Sequence, residues 1–141
     1  MTSHIYPNAP TIADLKRVIA GDVAGMRMLV NQSDVSRVGE EIPEQERTLR
    51  PSAVKRVLKA LLERSITPKQ ANVWAWFVRS GHVPGSKEPV RSLSINYQED
   101  CDEPIAEAVS RLTELGDVID GTIDDDELRK LIADLSKGDG P

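Results

Sequence analysis

The stretch GDVIDGTIDDDE, residues 116–127, has the spacing that comes nearest to a recognised chemistry. A calcium-binding EF-hand loop takes oxygen ligands at positions 1, 3, 5, 7, 9 and 12, with glycine at 6. Aligned on Gly121, position 5 is Asp120, position 9 is Asp124 and position 12 is Glu127, and Ile123 stands at the central apolar position. Positions 1 and 3 are Gly116 and Val118, which offer no side-chain oxygen to a hard, strongly hydrated cation. The same residues read better as structure. Gly116 stops one helix, Gly121 permits a turn, and Val118, Ile119 and Ile123 cover the core. Asp124, Asp125, Asp126 and Glu127 then line the next helix N-terminus, where the macrodipole favours acids. No metal or other cofactor is expected.

Nucleophilic and redox chemistry have little to work with. Cys101 is the single cysteine, so no intrachain disulfide and no CxxC pair exist. It lies among Glu99, Asp100, Asp102 and Glu103, whose negative charge disfavours a thiolate. The histidines are His4 and His82, and with Cys101 they match no usual zinc spacing. Together with Asp117, Asp120 and residues 124–127, these acids form a band that lacks a partnered His, Cys or Lys for catalysis. Two readings of the band stay open. It is a solvated surface that caps two helices, or it docks a basic protein.

Two further groups bear on binding. Trp74, Phe77 and Val78 share one helical face, and Trp76 points roughly 200° away from Trp74. One tryptophan is expected in the core, and Trp76 in a second layer or at an interface, where exposed tryptophan favours hot spots. Lys55, Arg56, Lys59, Arg64 and Lys69 make a basic face around a helix-turn-helix-like pair. The second helix of that pair carries two tryptophans and a phenylalanine mid-length, and acidic chain follows it. Both oppose DNA reading, so no nucleic-acid partner is expected.

The elements that must position these residues belong to one domain. The chain has 141 residues, 39 % hydrophobic and 29 % charged, which is a globular composition. Aromatics are only 4 %. Residues 1–98 hold 14 Lys+Arg against 9 Asp+Glu, giving +5, and residues 99–141 hold 4 against 14, giving −10. Such a field repels nucleic acid and attracts cationic proteins. The longest strongly apolar run, residues 73–78, falls far short of a membrane span, and MTSHIYPNAP has no signal-peptide pattern. A reducing cytoplasm is the expected compartment.

Amphipathic periodicity predicts an all-α domain of about six helices spanning residues 1–141. Ile12, Leu15, Val18 and Ile19 mark the first, capped by Thr11, and Val23, Met26, Leu29 and Val30 the second, capped by Asp22. Residues 33–50 read as a long polar loop with room for a helical turn. Val54, Val57, Leu58, Leu61 and Leu62 give the clearest stripe, beginning at Pro51. Thr67-Pro68 opens the next helix and Gly81 closes it. Residues 92–98 read as an extended segment without a strand partner. Asp102 is expected to cap the fifth helix, with Ile105, Val109, Leu112 and Leu115 inward. The sixth begins near Asp124 with Leu128, Leu131, Ile132 and Leu135 inward, and 137–141 are expected to fray.

The segment SLSINYQEDCDEPIAEAVSRLTELGDVIDGTIDDDELRKLIADL resembles small bacterial immunity proteins of the colicin and contact-dependent growth inhibition type. The preceding LLERSITPKQANVWAWFV is similar to their helical hairpin followed by a WA pair, so the likeness runs from about Ala53 to Leu135. It implies a cytoplasmic neutraliser, not an enzyme, that occludes a cognate toxin, often a basic nuclease. On that reading Glu99, Asp100, Asp102, Glu103, Asp117, Asp120, Asp124, Asp125, Asp126 and Trp76 face the toxin. The alternative is a helical adaptor without a toxin partner, with its interface on Trp76 and the first two helices.

Overall fold

The structure is a computed structural model that describes residues 12–28, 41–81, 95–115 and 122–138. Among these it forms five α-helices: α1 (Ile12–Ile19), α2 (Pro51–Leu62), α3 (Pro68–Ser80), α4 (Asp102–Thr113) and α5 (Asp125–Gly138). Short 3-10 turns occupy Val23–Met28, Glu44–Arg47 and Glu99–Cys101. The chain is therefore a single small all-α domain, as its periodicity predicts. α2 packs mainly on α5, and α3 on α4. α4 and α5 also pack on each other, while α1 and the turn that follows it close the α3 side.

Local chemistry accounts for the two best-defined helices. Pro51 starts α2, where a missing N–H costs nothing, and Val54, Val57, Leu58 and Leu61 are buried along one stripe. α2 ends in a Schellman arrangement: the Ser65 N–H donates to the Ala60 carbonyl and the Arg64 N–H to that of Leu61. Arg64 takes the left-handed position that glycine usually fills, at φ 61°. Thr67 and Gln70 then form a reciprocal capping box at 3.1 and 2.8 Å, with Pro68 in the first turn of α3. Gly81 closes α3 at φ 73°.

Trp74 is the largest side chain buried in the core, with no exposed surface. Its indole N–H would be costly to bury alone, and it donates to the Val18 carbonyl at 2.7 Å. That bond fastens α1 to α3. Leu15, Val18 and Ile19 are buried as expected, but Ile12 in the first turn of α1 is exposed. Thr11, Leu29 and Val30 lie outside the described residues.

Several expectations need correction. The second expected α-helix is the six-residue 3-10 turn Val23–Met28. Gly25 lies inside it, and a Cβ there would come within 2.9 Å of Val18 Cγ2, so the segment is folded tightly back on α1. Gly25 in the middle of the segment weakens an α-helix there. The extended segment does have a partner. β1 (Thr48–Leu49) and β2 (Asn96–Tyr97) pair in parallel, with Thr48 opposite Asn96 and Leu49 opposite Tyr97. The Gln98 N–H adds a bond to the Leu49 carbonyl at 3.0 Å. The latter part of the expected 33–50 loop is thus a 3-10 turn and a strand, and residues 33–40 lie outside the described residues. Two-residue strands show no alternation, so periodicity could not reveal them. At the C-terminus, Lys137 and Gly138 are the last residues of α5, and 139–141 lie outside the described residues.

The turn after α1 sets where it meets α2. Gly21 has φ 96°, and a Cβ on it would stand 2.6 Å from the Ala53 carbonyl oxygen. Gly21→Ala should therefore cost about 1–3 kcal/mol in urea unfolding. Gly25→Ala meets one methyl of the buried, β-branched Val18 at 2.9 Å but needs no positive φ and touches no backbone, so it should cost less than Gly21→Ala. Equal losses for both would contradict this packing.

Candidate functional site

The acids of the expected band fall into two groups. Glu99 and Asp100 lie in the 3-10 turn before α4, and Asp102 and Glu103 in the first turn of α4; all four are exposed. Asp100 Oδ1 accepts a hydrogen bond from Gln98 Nε2 at 3.0 Å. Asp102 is not the cap of α4. Cys101 holds that position, and no side chain caps it. The 3-10 turn runs straight into the helix, so Asp102 is already helical at φ −63°, ψ −34°. Its carboxylate still lies where the helix dipole favours it. Glu107, one turn beyond Glu103, is exposed and extends the group. Sequence reasoning passed it over, although the four-residue spacing on one helix puts it on Glu103's face.

The second group is engaged within the molecule. Asp124 Oδ1 accepts the Glu127 N–H at 2.8 Å and so caps α5. Asp125, half-buried, lies 3.9 Å from the Arg64 guanidinium. Asp126 is fully in solvent, 3.4 Å from Arg129. Glu127, half-buried, receives Arg111 Nε at 2.6 Å and Nη2 at 3.2 Å. The same Nη2 also donates to the Thr122 carbonyl. Arg111 is only 18 % exposed, so this fork is partly shielded from water.

These contacts put the groups at opposite ends of a helix pair. Arg111, in the last turn of α4, holds the first turn of α5, and the 3-10 turn that precedes α4 also packs on α5, so the two helices run antiparallel. The twelve residues of α4 span about 18 Å. Glu99, Asp100, Asp102 and Glu103 stand at its far end. The structure therefore does not gather the ten predicted residues onto one face. Asp117 and Asp120 lie outside the described residues, as do the first four positions of the calcium-loop alignment and Gly121.

The tryptophans divide as their spacing predicts. Trp74 is fully buried, whereas Trp76 is 44 % exposed. The Arg79 guanidinium lies over the Trp76 ring, 5.4 Å from its centroid. Around it, Asn72 Nδ2 donates to the Leu112 and Thr113 carbonyls at 3.0 and 3.1 Å, and Arg79 Nη1 to Thr113 Oγ1 at 3.1 Å. Asn72 thus caps the Thr113 carbonyl and adds a second donor to that of Leu112, which also accepts the Leu115 N–H. Burial pushes the nearby Tyr97 phenol above its ordinary pKa, and the Arg79 charge offsets part of that. On the other side, Arg56 and Lys59 of α2 are exposed and Lys55 is half-buried. Cys101 is buried, with Gln98 Nε2 at 3.6 Å from its sulfur.

Among the described residues, no three His, Cys, Asp or Glu side chains are placed to share a metal ion. No helix among them is long and apolar enough to cross a membrane. No family model matches the chain, and no curated protein or solved structure is significantly similar to it.

The division of the acids makes a stability prediction. Arg111→Met keeps the bulk of the stem but leaves Glu127 without its fork, and should cost about 1–3 kcal/mol in denaturant unfolding. Arg129→Ala, which touches only the solvated Asp126, should change stability by less than about 0.5 kcal/mol. A neutral Arg111→Met would contradict the role given to the pair.

Proposed function

We propose that this protein is an immunity-type inhibitor, working in the cytoplasm, that docks a cationic bacterial toxin on the acidic end of α4. One observation carries the reading. Glu99, Asp100, Asp102, Glu103 and Glu107 fall within nine residues, all exposed, and no ion pair engages them among the described residues. No Lys or Arg occurs between residues 95 and 110. Five carboxylates on a turn and the helix it feeds repel one another, and a cationic surface would relieve that repulsion. The mechanism is occlusion. The carboxylates occupy the place of substrate phosphates against Lys and Arg in a nuclease cleft, and opposed charge speeds the encounter. The likeness of residues 53–135 to immunity proteins supports the choice of partner. Asp124, Asp125 and Asp126 drop to a secondary role in this reading, because each already has a contact within the fold.

A second reading is favoured by Trp76. An exposed tryptophan stacked with Arg79 is an ordered, amphipathic contact of the sort that anchors protein interfaces, and it suits a helical adaptor with no toxin partner.

Binding of the product of the adjacent reading frame, measured by calorimetry at low and high salt, separates the two. The toxin reading predicts that Glu99→Lys/Asp100→Lys/Glu103→Lys weakens binding at least about tenfold and removes most of its salt dependence. Trp76→Ala should then stay within about twofold of the parent. The reverse pattern selects the adaptor, and no binding by the parent protein overturns the toxin reading.

A further inference from the structure

Between the 3-10 turn Val23–Met28 and the first turns of α3 lies a cleft of about 320 Å³, the lower end of the range for small-ligand sites. Val23, Met26 and Val73 form its apolar lining. Its charged lining residues are Arg27 on one wall and Lys69 on the other, both exposed and neither in an ion pair among the described residues. Among the described residues, no Asp or Glu lines the cleft, although the chain carries a net charge of −5. The capping box engages Thr67 Oγ1 and Gln70 Oε1 as acceptors, which leaves the Thr67 hydroxyl and Gln70 amide as donors. The groups that can meet a ligand are an apolar lining, two cations and these neutral donors.

We propose that this cleft binds an amphipathic monoanion: a compact apolar body carrying one carboxylate, of the medium-chain fatty-acid kind. The body displaces water from Val23, Met26 and Val73, which is favourable in proportion to the apolar area covered. The carboxylate stays at the mouth between Arg27 and Lys69. There it gains charge-assisted hydrogen bonds without being buried, and so avoids most of the desolvation penalty. The volume suits one short chain better than a peptide, which would need a longer groove. This site is independent of the acidic end of α4, so failure of either proposal leaves the other standing.

The test is a nitrogen-15 NMR titration of the full chain with sodium decanoate below its micellar concentration, with decanol as the uncharged control. The expected result is saturable shifts centred on residues 23–27 and 67–73. Decanol, and decanoate with Arg27→Ala/Lys69→Ala, should each bind at least about tenfold more weakly. Both substituted side chains are exposed, so the double variant should retain the parent spectrum elsewhere. Equal affinity for decanol, an unaffected double variant, or shifts centred away from the cleft would each overturn the proposal.

Discussion

Residues 99–141 carry −10 and must still fold against themselves, and the Arg111–Glu127 fork offsets part of that charge where α4 meets α5. α4 and α5 bring acids into both of their first turns, and close packing of two such helices would be opposed by like charge if they ran parallel. Antiparallel packing separates those turns by the length of α4. It also brings the one arginine of α4 to the first turn of α5. Arg111 there satisfies Glu127 from two nitrogens and the Thr122 carbonyl besides. Asp124 completes the junction from inside α5 by holding the Glu127 N–H. α5 also seats on α2, and its Leu128, Leu131 and Leu135 are buried in the core.

The same geometry divides the carboxylates by task. Those at the start of α5 neutralise the fold's own cations or cap its helix. Those at the start of α4 are in no ion pair among the described residues. This division is what turns a general excess of negative charge into a located surface. On the other side of the molecule, the α1 end is fixed by apolar packing and one buried polar bond, from the Trp74 indole to the Val18 carbonyl. With aromatics at 4 %, so much of the core depends on Trp74 and Phe77 that α3 had to be buried on more than one side. Trp76 is what remains outside.

How far the sequence discloses this depends on the range of each interaction. Pro51, the stripe from Val54 to Leu61, the Thr67–Gln70 box and Gly81 are local signals, and each reads through directly into α2 and α3. The opposed directions of Trp74 and Trp76 follow from helical geometry alone. Gly25 and the tight return onto the Val18 side chain defeat a periodicity argument, because Val23 and Met26 show the right spacing for a helix and yet sit in a 3-10 turn. The β1–β2 pair is two residues long and joins positions 48 apart, beyond the reach of any pattern. Asp102 has the right residue type for a cap, but the preceding turn takes that place. The acidic band looked continuous because linear order cannot show that its two halves stand at opposite ends of α4. Glu107 was legible from its spacing to Glu103 and was overlooked.

The division of carboxylates is the claim on which both fold and function rest. Thermal unfolding of two amide variants tests it most directly. One converts Asp124, Asp125, Asp126 and Glu127 to Asn, Asn, Asn and Gln; the other converts Glu99, Asp100, Asp102 and Glu103 to Gln, Asn, Asn and Gln. Each removes four charges at the start of one helix, so helix-dipole losses are comparable. The first variant should melt lower by about 5 °C or more, since it gives up the Arg111 fork, while the second should stay within about 2 °C of the parent. Equal losses, or a larger loss in the second, would mean that the acids before α4 are holding the fold together and are not free to meet a partner.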